Sequence, residues 1–410
     1  MDPAAFENSP VGRLVPIKGR DRRWDEDFED YAFVPNPLPA SLPLSESTYV
    51  IVTDAAMALG RLDAATNRLP NPRLLVRPAL RLEAVSTSAL EGTYATLTDV
   101  LEGDFVEETR RSAEVAEVLN YVRATETALE RIEERPISFN LIAELQQILV
   151  RGTRGDSYDA GRLRERYVLI GPDNCRVSEA RFIPTPHGDL LRDGVSDWER
   201  WINARDSIPL LVKVAAGHYQ FECLHPFSDG NGRLGRLIAV LQLIYNGALQ
   251  YPLLNMSPWF ERRRNQYQDH LLRVSQTGEI DPWIAFFCSA VLDQAVDAFR
   301  RIERLISVRD EMVGTLRQAR AKGTSRSIVD DLLGFPVVTV PAMATAHRVS
   351  YQAANTAVAR LVELGILREA TGRTYDRVFV CDAVLRELER PSGLTDSSSS
   401  AERGQALPRA

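Results

Sequence analysis

FECLHPFSDGNGRLGR, spanning Phe221 to Arg236, gathers the chain's most chemically pointed residues into one short segment. His225 stands directly before Pro226, where a chain is apt to turn. Asp229-Gly230-Asn231-Gly232 is a tight, glycine-punctuated loop that opens onto a helix. Such a loop can aim several backbone N–H groups at an anion, and the helix N-terminus adds a favourable dipole. Arg233 and Arg236 lie three apart on the first helical turn, so they face one side and can bracket a polyphosphate. Asp229 offers a hard oxygen to Mg²⁺. His225, with an ordinary pKa of about 6.5, suits proton abstraction from a hydroxyl at neutral pH. Together these residues point to attack of a hydroxyl on a metal-bound nucleotide phosphate. A lone Gly-Asn-Gly is usually only a turn and a lone His a structural residue. The conjunction carries the reading.

Working outward, apolar residues recur at helical spacing on both sides of this loop. Upstream, helices are predicted over 48–67 (Val50, Ile51, Ala55, Leu59 and Leu62 forming the stripe), 78–90, 95–102, 110–135 and 138–151. The punctuation at 69–72 ends the first, and Ser138 is a natural N-cap for the last. Between 158 and 186 the texture changes. YVLIG (167–171) and ARFIP (180–184) are short β-type runs separated by turn residues, which predicts a β-hairpin. Helices resume over 189–204, 208–223, 233–246, 258–277 and 282–316. The first 45 residues, rich in Pro and charge, read as an arm or extended packing segment. From about 324 to 388 a short helix (327–333), a helix-turn-helix and a wing form a separate small domain. Its second helix covers 351–364, with Ala354, Ala357, Val358, Leu361 and Leu364 buried, and Gly365 follows as C′ residue. Segments 366–369 and 377–380 pair as the wing. The tail from 391 is low-complexity and predicted to be disordered.

Composition bounds the rest. The chain has 410 residues and a formal charge of −7, with 44% hydrophobic and 26% charged residues. That is the balance of a globular protein, and it excludes collagen-like and wholly disordered readings. It also excludes a uniformly basic nucleic-acid coat, though not a local DNA-binding module. The longest apolar run, Leu237 to Tyr245, falls far short of the roughly 20 residues a bilayer span needs, so no membrane partner is expected. The N-terminus lacks a secretory pattern. Cys175, Cys223, Cys288 and Cys381 have no metal-type spacing and read as reduced, buried thiols in a cytoplasmic protein.

The segment His225–Arg236 matches every fixed position of HPFx(D/E)GNGRxxR, the core motif of the Fic (Fic/Doc) family, and the chain resembles that family to about Leu388. The resemblance implies a mainly α fold: a Fic-type helical core with a β-hairpin flap, an N-terminal helical domain and a C-terminal winged helix-turn-helix domain. The expected division is 1–45 arm, 46–110 N-terminal helical domain with inhibitory helix, 111–300 Fic core, 301–390 linker helix and winged helix, and 391–410 tail. The activity it implies is protein adenylyl transfer: AMP moves from ATP to a Ser, Thr or Tyr hydroxyl of a protein, with self-modification included. By the same resemblance His225 is the general base and Asp229 the Mg²⁺ ligand. Gly230, Asn231 and Gly232 form the anion hole, and Leu234 and Gly235 complete the ATP-binding turn. Arg233 holds the β-phosphate and Arg236 the γ-phosphate. Phe227 anchors the loop in the core, and Tyr267 neighbours the adenine. The flap, introduced by Ala160-Gly161-Arg162-Leu163-Arg164, holds the target protein by β-augmentation. Cys223 stands where a Thr is common, and Gln146 replaces a His often found in the preceding helix.

A second pattern lies upstream. Thr87-Ser88-Ala89-Leu90-Glu91-Gly92 matches the family's inhibitory motif (S/T)xxxE(G/N). Thr87 and Glu91 are four apart and so share a helix face. In the family this glutamate pairs with the last motif arginine, here Arg236. A carboxylate there occupies the charge that the γ-phosphate needs and repels that phosphate in a partly desolvated site. The resting protein is therefore expected to be autoinhibited. In some members the same glutamate helps water remove AMP, so a bifunctional AMPylase/de-AMPylase stays open.

The C-terminal module adds a reading of another class: a nucleotide-sensing, DNA-binding regulator. Tyr351, Gln352, Asn355, Thr356 and Arg360 would line the recognition helix. Over 311–390 there are 11 Arg/Lys against 9 Asp/Glu, a weak basic excess, so use of the fold for packing or protein recognition is as well supported. Phosphate transfer is disfavoured by the intact GNGR loop; phosphocholine transfer is not excluded by the motif. The N-terminal helices and the winged helix also offer surfaces for a homodimer.

Overall fold

The computed structural model describes residues 1–390 except 22, 69, 70, 106, 134, 173, 322 and 373–376. The tail from 391 therefore lies outside the described residues. An antiparallel hairpin, β1 (Gly12–Asp21) and β2 (Glu26–Pro35), precedes α1 (Glu46–Thr66), α2 (Arg73–Leu90), α3 (Leu97–Gly103), α4 (Ala113–Ile132) and α5 (Phe139–Val150). Then come α6 (Asp189–Asn203), α7 (Leu210–Leu224), α8 (Asn231–Tyr245), α9 (Ser257–Arg262), α10 (Arg264–Thr277) and the long α11 (Ile280–Gln318). The chain continues through α12 (Thr324–Asp331), β3 (Val337–Thr339), α13 (Val340–His347), α14 (Tyr351–Glu363), β4 (Arg368–Glu369), β5 (Val378–Val380) and α15 (Asp382–Leu388).

Local chemistry sets the helix starts. Ser45, Ser112 and Ser138 each accept a backbone N–H from three residues on, capping α1, α4 and α5. Thr96 and Asp99 form a capping box on α3. From 211 to 224 almost every residue of α7 is buried, the mark of a helix enclosed on all sides. It packs against α6, α8 and α11, while α1 lies along α11 and α2 wedges between α4 and α9. This arrangement holds the loop between α7 and α8, and so the motif, at the meeting of the two main apolar clusters.

Two expectations are corrected. The arm is extended, but it folds as a ten-residue-per-strand hairpin whose Phe33 packs on Phe6 and Phe182. The expected flap hairpin contracts to a single bridge, Ile170 with Phe182. Its second limb is shared: the Ile183 carbonyl accepts the Phe33 N–H of β2 at 2.9 Å, and a short 3₁₀ turn at Val177–Glu179 breaks the run between the limbs.

The C-terminal unit runs helix-strand-helix-helix-strand-strand, with sheet order β3-β5-β4. Ala354, Ala357, Val358 and Leu361 are buried as expected, and Gly365 has φ +70° after the end of α14. Tyr351, Gln352 and Thr356 are exposed, Asn355 and Arg360 half-buried; the wing tip, 373–376, lies outside the described residues. α15, unanticipated from the sequence, closes the unit against α11. No described helix is long and apolar enough to cross a membrane. All four cysteines are free and buried.

Candidate active site

The loop from His225 to Gly230 is fixed by its own residues. Asn231, buried, accepts the Phe227 N–H at 2.9 Å and donates to the Phe227 carbonyl at 2.8 Å, closing the turn from within. The Phe227 ring, fully buried, stacks on Phe139 at 5.8 Å between centroids, so the expected anchor is in place. Gly230 has φ +83° and stands as N-cap of α8, a conformation that any Cβ would strain, and a Cβ there would also stand 2.9 Å from Leu149. Gln146 bridges the loop to its surroundings: it donates to the Asp229 carbonyl at 3.1 Å and accepts the Gly161 N–H at 2.6 Å. That gives a structural part to the residue that departs from the family pattern.

His225 ends α7 in the left-handed region, φ +48° and ψ +62°, an uncommon state for a residue with a side chain. Arg164 holds it there. This guanidinium is buried without a carboxylate and donates to four carbonyls: His225 at 2.7 Å, Arg166 at 2.9 Å, Leu224 at 3.2 Å and Thr185. Its backbone N–H adds a bond to the Pro226 carbonyl. Burial, reinforced by the Arg164 charge, pulls the His225 imidazole down to about 4, so the ring is neutral at neutral pH. Sequence reading passed over Arg164 as part of the flap lead-in, since four carbonyl partners leave no sequence signal. Arg164→Met should strand these buried acceptors and destabilise the fold by about 3 kcal/mol. Urea unfolding monitored by circular dichroism checks this.

The two motif arginines differ in their commitments. Arg233 is buried in a row between Glu117 on α4 and Asp229, whose oxygen is 3.0 Å away. Glu117 was not legible as a site residue, because it lies 116 positions from Arg233. Asp229 is the one motif carboxylate and is half-exposed. A single hard oxygen at the rim fits a cation whose other ligands are phosphate oxygens and water. It does not build an all-protein metal cage, and no cluster of three or more ligating side chains occurs among the described residues.

Arg236 is held by the end of α2. Its Nε donates to Thr87 Oγ1 at 2.7 Å, and its Nη2 to the Thr87 carbonyl at 3.1 Å and to Glu91 Oε1 at 2.7 Å. Glu91 is the C-cap of α2, and Gly92, φ +88°, follows as C′. The Thr93 N–H to Ser88 carbonyl and Gly92 N–H to Ala89 carbonyl bonds complete a Schellman turn. This turn ends the helix where the Glu91 side chain meets the motif. A Cβ on Gly232 would stand 2.3 Å from Glu91 Oε1, so the carboxylate lies directly on the main chain of the anion loop. Burial raises the Glu91 carboxyl, but the Arg236 charge and hydrogen bond, with help from Arg233 and His225, outweigh it and hold it below the usual range. On Arg236 burial works downward and is likewise outweighed by Glu91, leaving the guanidinium raised.

Leu234 is buried in the core, so only its backbone faces the loop side. Tyr267 is buried on α10. It lies in the aromatic cluster with Phe260 and Trp283, its hydroxyl 2.7 Å from His218 Nε2. Its ring is nearly as large and apolar as its neighbours, which draws it inward.

A loop of backbone donors at a helix start, with a neutral imidazole before it and a buried arginine behind, is an arrangement that can receive an anion. Residues 136–243 match the Fic/DOC family model and residues 50–130 that of the Fic/DOC family N-terminal region, so the chain carries a Fic/DOC domain with its N-terminal region. It is similar to protein adenylyltransferase fic-1 of Caenorhabditis elegans, 26% identical over 222 residues, which are 52% of this chain and 40% of that protein. It is also similar to protein adenylyltransferase Fic of Culex quinquefasciatus, 34% identical over 133 residues, 32% of this chain and 23% of that protein. The chain thus matches less than half the length of these curated relatives. A Fic family protein from Desulfovibrio desulfuricans G20, solved by crystallography, shares the fold with TM-score 0.53 at 20% identity, covering 84% of this chain and 98% of that one.

Proposed function

We propose that the chain transfers AMP from ATP to a Ser, Thr or Tyr hydroxyl of a protein, itself included, and that Glu91 against Arg236 restrains the reaction. The observation that carries this is the seating of Glu91: its carboxylate rests on the Gly232 main chain and on Arg236, where a terminal phosphate would sit. A site built for an anion holds the protein's own anion. The names of the relatives, protein adenylyltransferases, support the same reaction. In this reading the N–H groups at the start of α8 receive the phosphates, Arg236 takes the γ-phosphate once Glu91 leaves, and neutral His225 accepts the target proton. Asp229 would hold Mg²⁺, which neutralises charge building on the phosphates. Arg233 would reach the β-phosphate only by loosening its pairs with Glu117 and Asp229.

Intact-mass spectrometry of the purified chain with ATP and Mg²⁺ tests it. Addition of one AMP, absent without ATP, is the expected result. No addition by the Glu91→Gly variant, either to itself or to proteins of a cell extract supplied with labelled ATP, would overturn it. The second reading, a nucleotide-sensing DNA-binding regulator, rests on the exposed face of α14. It requires duplex binding that weakens steeply with salt.

A further inference from the structure

Glu222 lies on the last turn of α7, one turn before His225, and none of the roles above uses it. Its Oε2 is 3.8 Å from His225 Nδ1 and its Oε1 3.8 Å from His218 Nε2. Glu222 Oε1, His225 Nδ1 and His218 Nδ1 are all buried and make no well-aligned hydrogen bond, though the Glu222 main chain acts on the His225 ring and the Gly235 main chain on the His218 ring. Buried polar atoms left unpaired cost free energy, and native structures keep few of them. Three converging beside the base call for an explanation. Gly235 supplies an independent one: a Cβ there would stand 2.6 Å from Glu222 Oε1 and 3.1 Å from His218. This glycine of α8 leaves the room in which the carboxylate sits, although the sequence ascribed it to ATP.

We propose that Glu222 is a positioning residue for His225: its carboxylate holds the ring through Nδ1, leaves Nε2 for the target hydroxyl, and balances the charge of the imidazolium that forms. The proposal rests on the adenylyl-transfer reading of the site. In the step, the hydroxyl proton moves to Nε2 as its oxygen bonds to the α-phosphorus, and the bond from that phosphorus to the pyrophosphate oxygen breaks. The carboxylate then faces a cation, and the 3.8 Å gap of the resting state closes to a charge-assisted hydrogen bond.

The charges around Glu222 are Arg236 from α8, Glu91 at the end of α2, and His218 and Cys223 on its own helix. Tyr267 on α10 also faces it, and Arg164 acts on His225 beside it. Burial raises the Glu222 carboxyl, Arg236 lowers it and Glu91 raises it, for a net value of about 7. Its ionised form, the one that balances the imidazolium, therefore grows in as pH rises through neutrality.

The test compares Glu222→Gln with its parent, both carrying Glu91→Gly, in self-modification. kcat should fall about 10–100-fold while KM for ATP stays within about twofold. The rise of kcat with pH, whose midpoint loses the upward push of Glu91 in this background and so falls below the resting value of about 7, should vanish. Gly235→Ala, which crowds the carboxylate without removing it, should lower kcat in the same sense. An unchanged kcat, or a lower kcat that keeps the inflection, overturns the proposal. A readout independent of activity is the ¹⁵N imidazole titration of His225 in the whole chain, assigned among the five histidines. Glu222→Gln should lower the His225 pKa, and superimposable titrations overturn the proposal whether or not AMP is transferred. A shifted titration in a chain that never takes up AMP supports the Glu222–His225 link and removes only the reading on which its catalytic purpose rests.

Discussion

Glu91→Gly should raise the rate of AMP incorporation on the order of 100-fold over the parent at equal ATP. A free-energy change of about 1.4 kcal/mol is a factor of ten, so this asks for roughly 2.8 kcal/mol. The geometry provides it. Glu91 Oε1 is 2.7 Å from Arg236 Nη2 and covers Gly232, so bound ATP must either expel the carboxylate or lie beside it. Two unit charges 4 Å apart interact by about 4 kcal/mol at an effective dielectric of 20, part of which is recovered by displacement toward solvent. The substitution should leave the rest of α2 where it is. Arg81 grips Asp104 through two bonds of 2.9 Å, Glu83 receives the Ser257 N–H and hydroxyl, and Thr87 still binds Arg236. The gain should therefore show as tighter binding of a non-hydrolysable ATP analogue by calorimetry and as faster mass addition, with little change in melting temperature. Equal rates and equal nucleotide affinity in the two proteins would remove Glu91 from any inhibitory part.

Much of this site was legible because its logic is local. Asn231 closes a turn onto Phe227 four residues away, Gly230 occupies a left-handed cap, and Thr87 and Glu91 share one helix face. Each is a short-range consequence of residue type. What escaped the sequence depends on packing between distant elements. Glu117, Arg164 and Glu222 look like ordinary charged residues of amphipathic segments, and only burial against α8 or the 224–226 turn turns them into parts of the site. The N-terminal hairpin escaped for a related reason: Pro16 and a charged turn weaken its strand signal, and Phe33 packing on Phe6 and Phe182 supplies the missing drive. The flap was legible in outline, since Ile170 and Phe182 pair antiparallel, but not in extent. Two apolar runs met every local requirement for a hairpin, yet the Ile183 carbonyl went to β2.

His225→Ala, in the Glu91→Gly background, should lower kcat for AMP transfer by about 10²–10⁴-fold, the contribution of a positioned general base. The nucleotide should remain bound. Its phosphate contacts in the proposed pose come from α8 backbone and Arg236, neither of which depends on the imidazole, so KM for ATP should hold within about twofold. Nor should the loop collapse. Arg164 grips the His225 carbonyl and Asn231 grips Phe227, and both act on main-chain atoms that alanine retains. The pH profile separates chemistry from damage. The imidazole is held at about 4 by burial and the Arg164 charge, so the parent should lose its base only on acidification toward that value. The alanine variant should show no such acid limb. An alanine variant that kept both its rate and its acid limb would show that the target proton leaves by another route. Loss of rate together with loss of nucleotide binding would instead mean that the ring supports the phosphate cradle, which the main-chain clamps at Arg164 and Asn231 argue against.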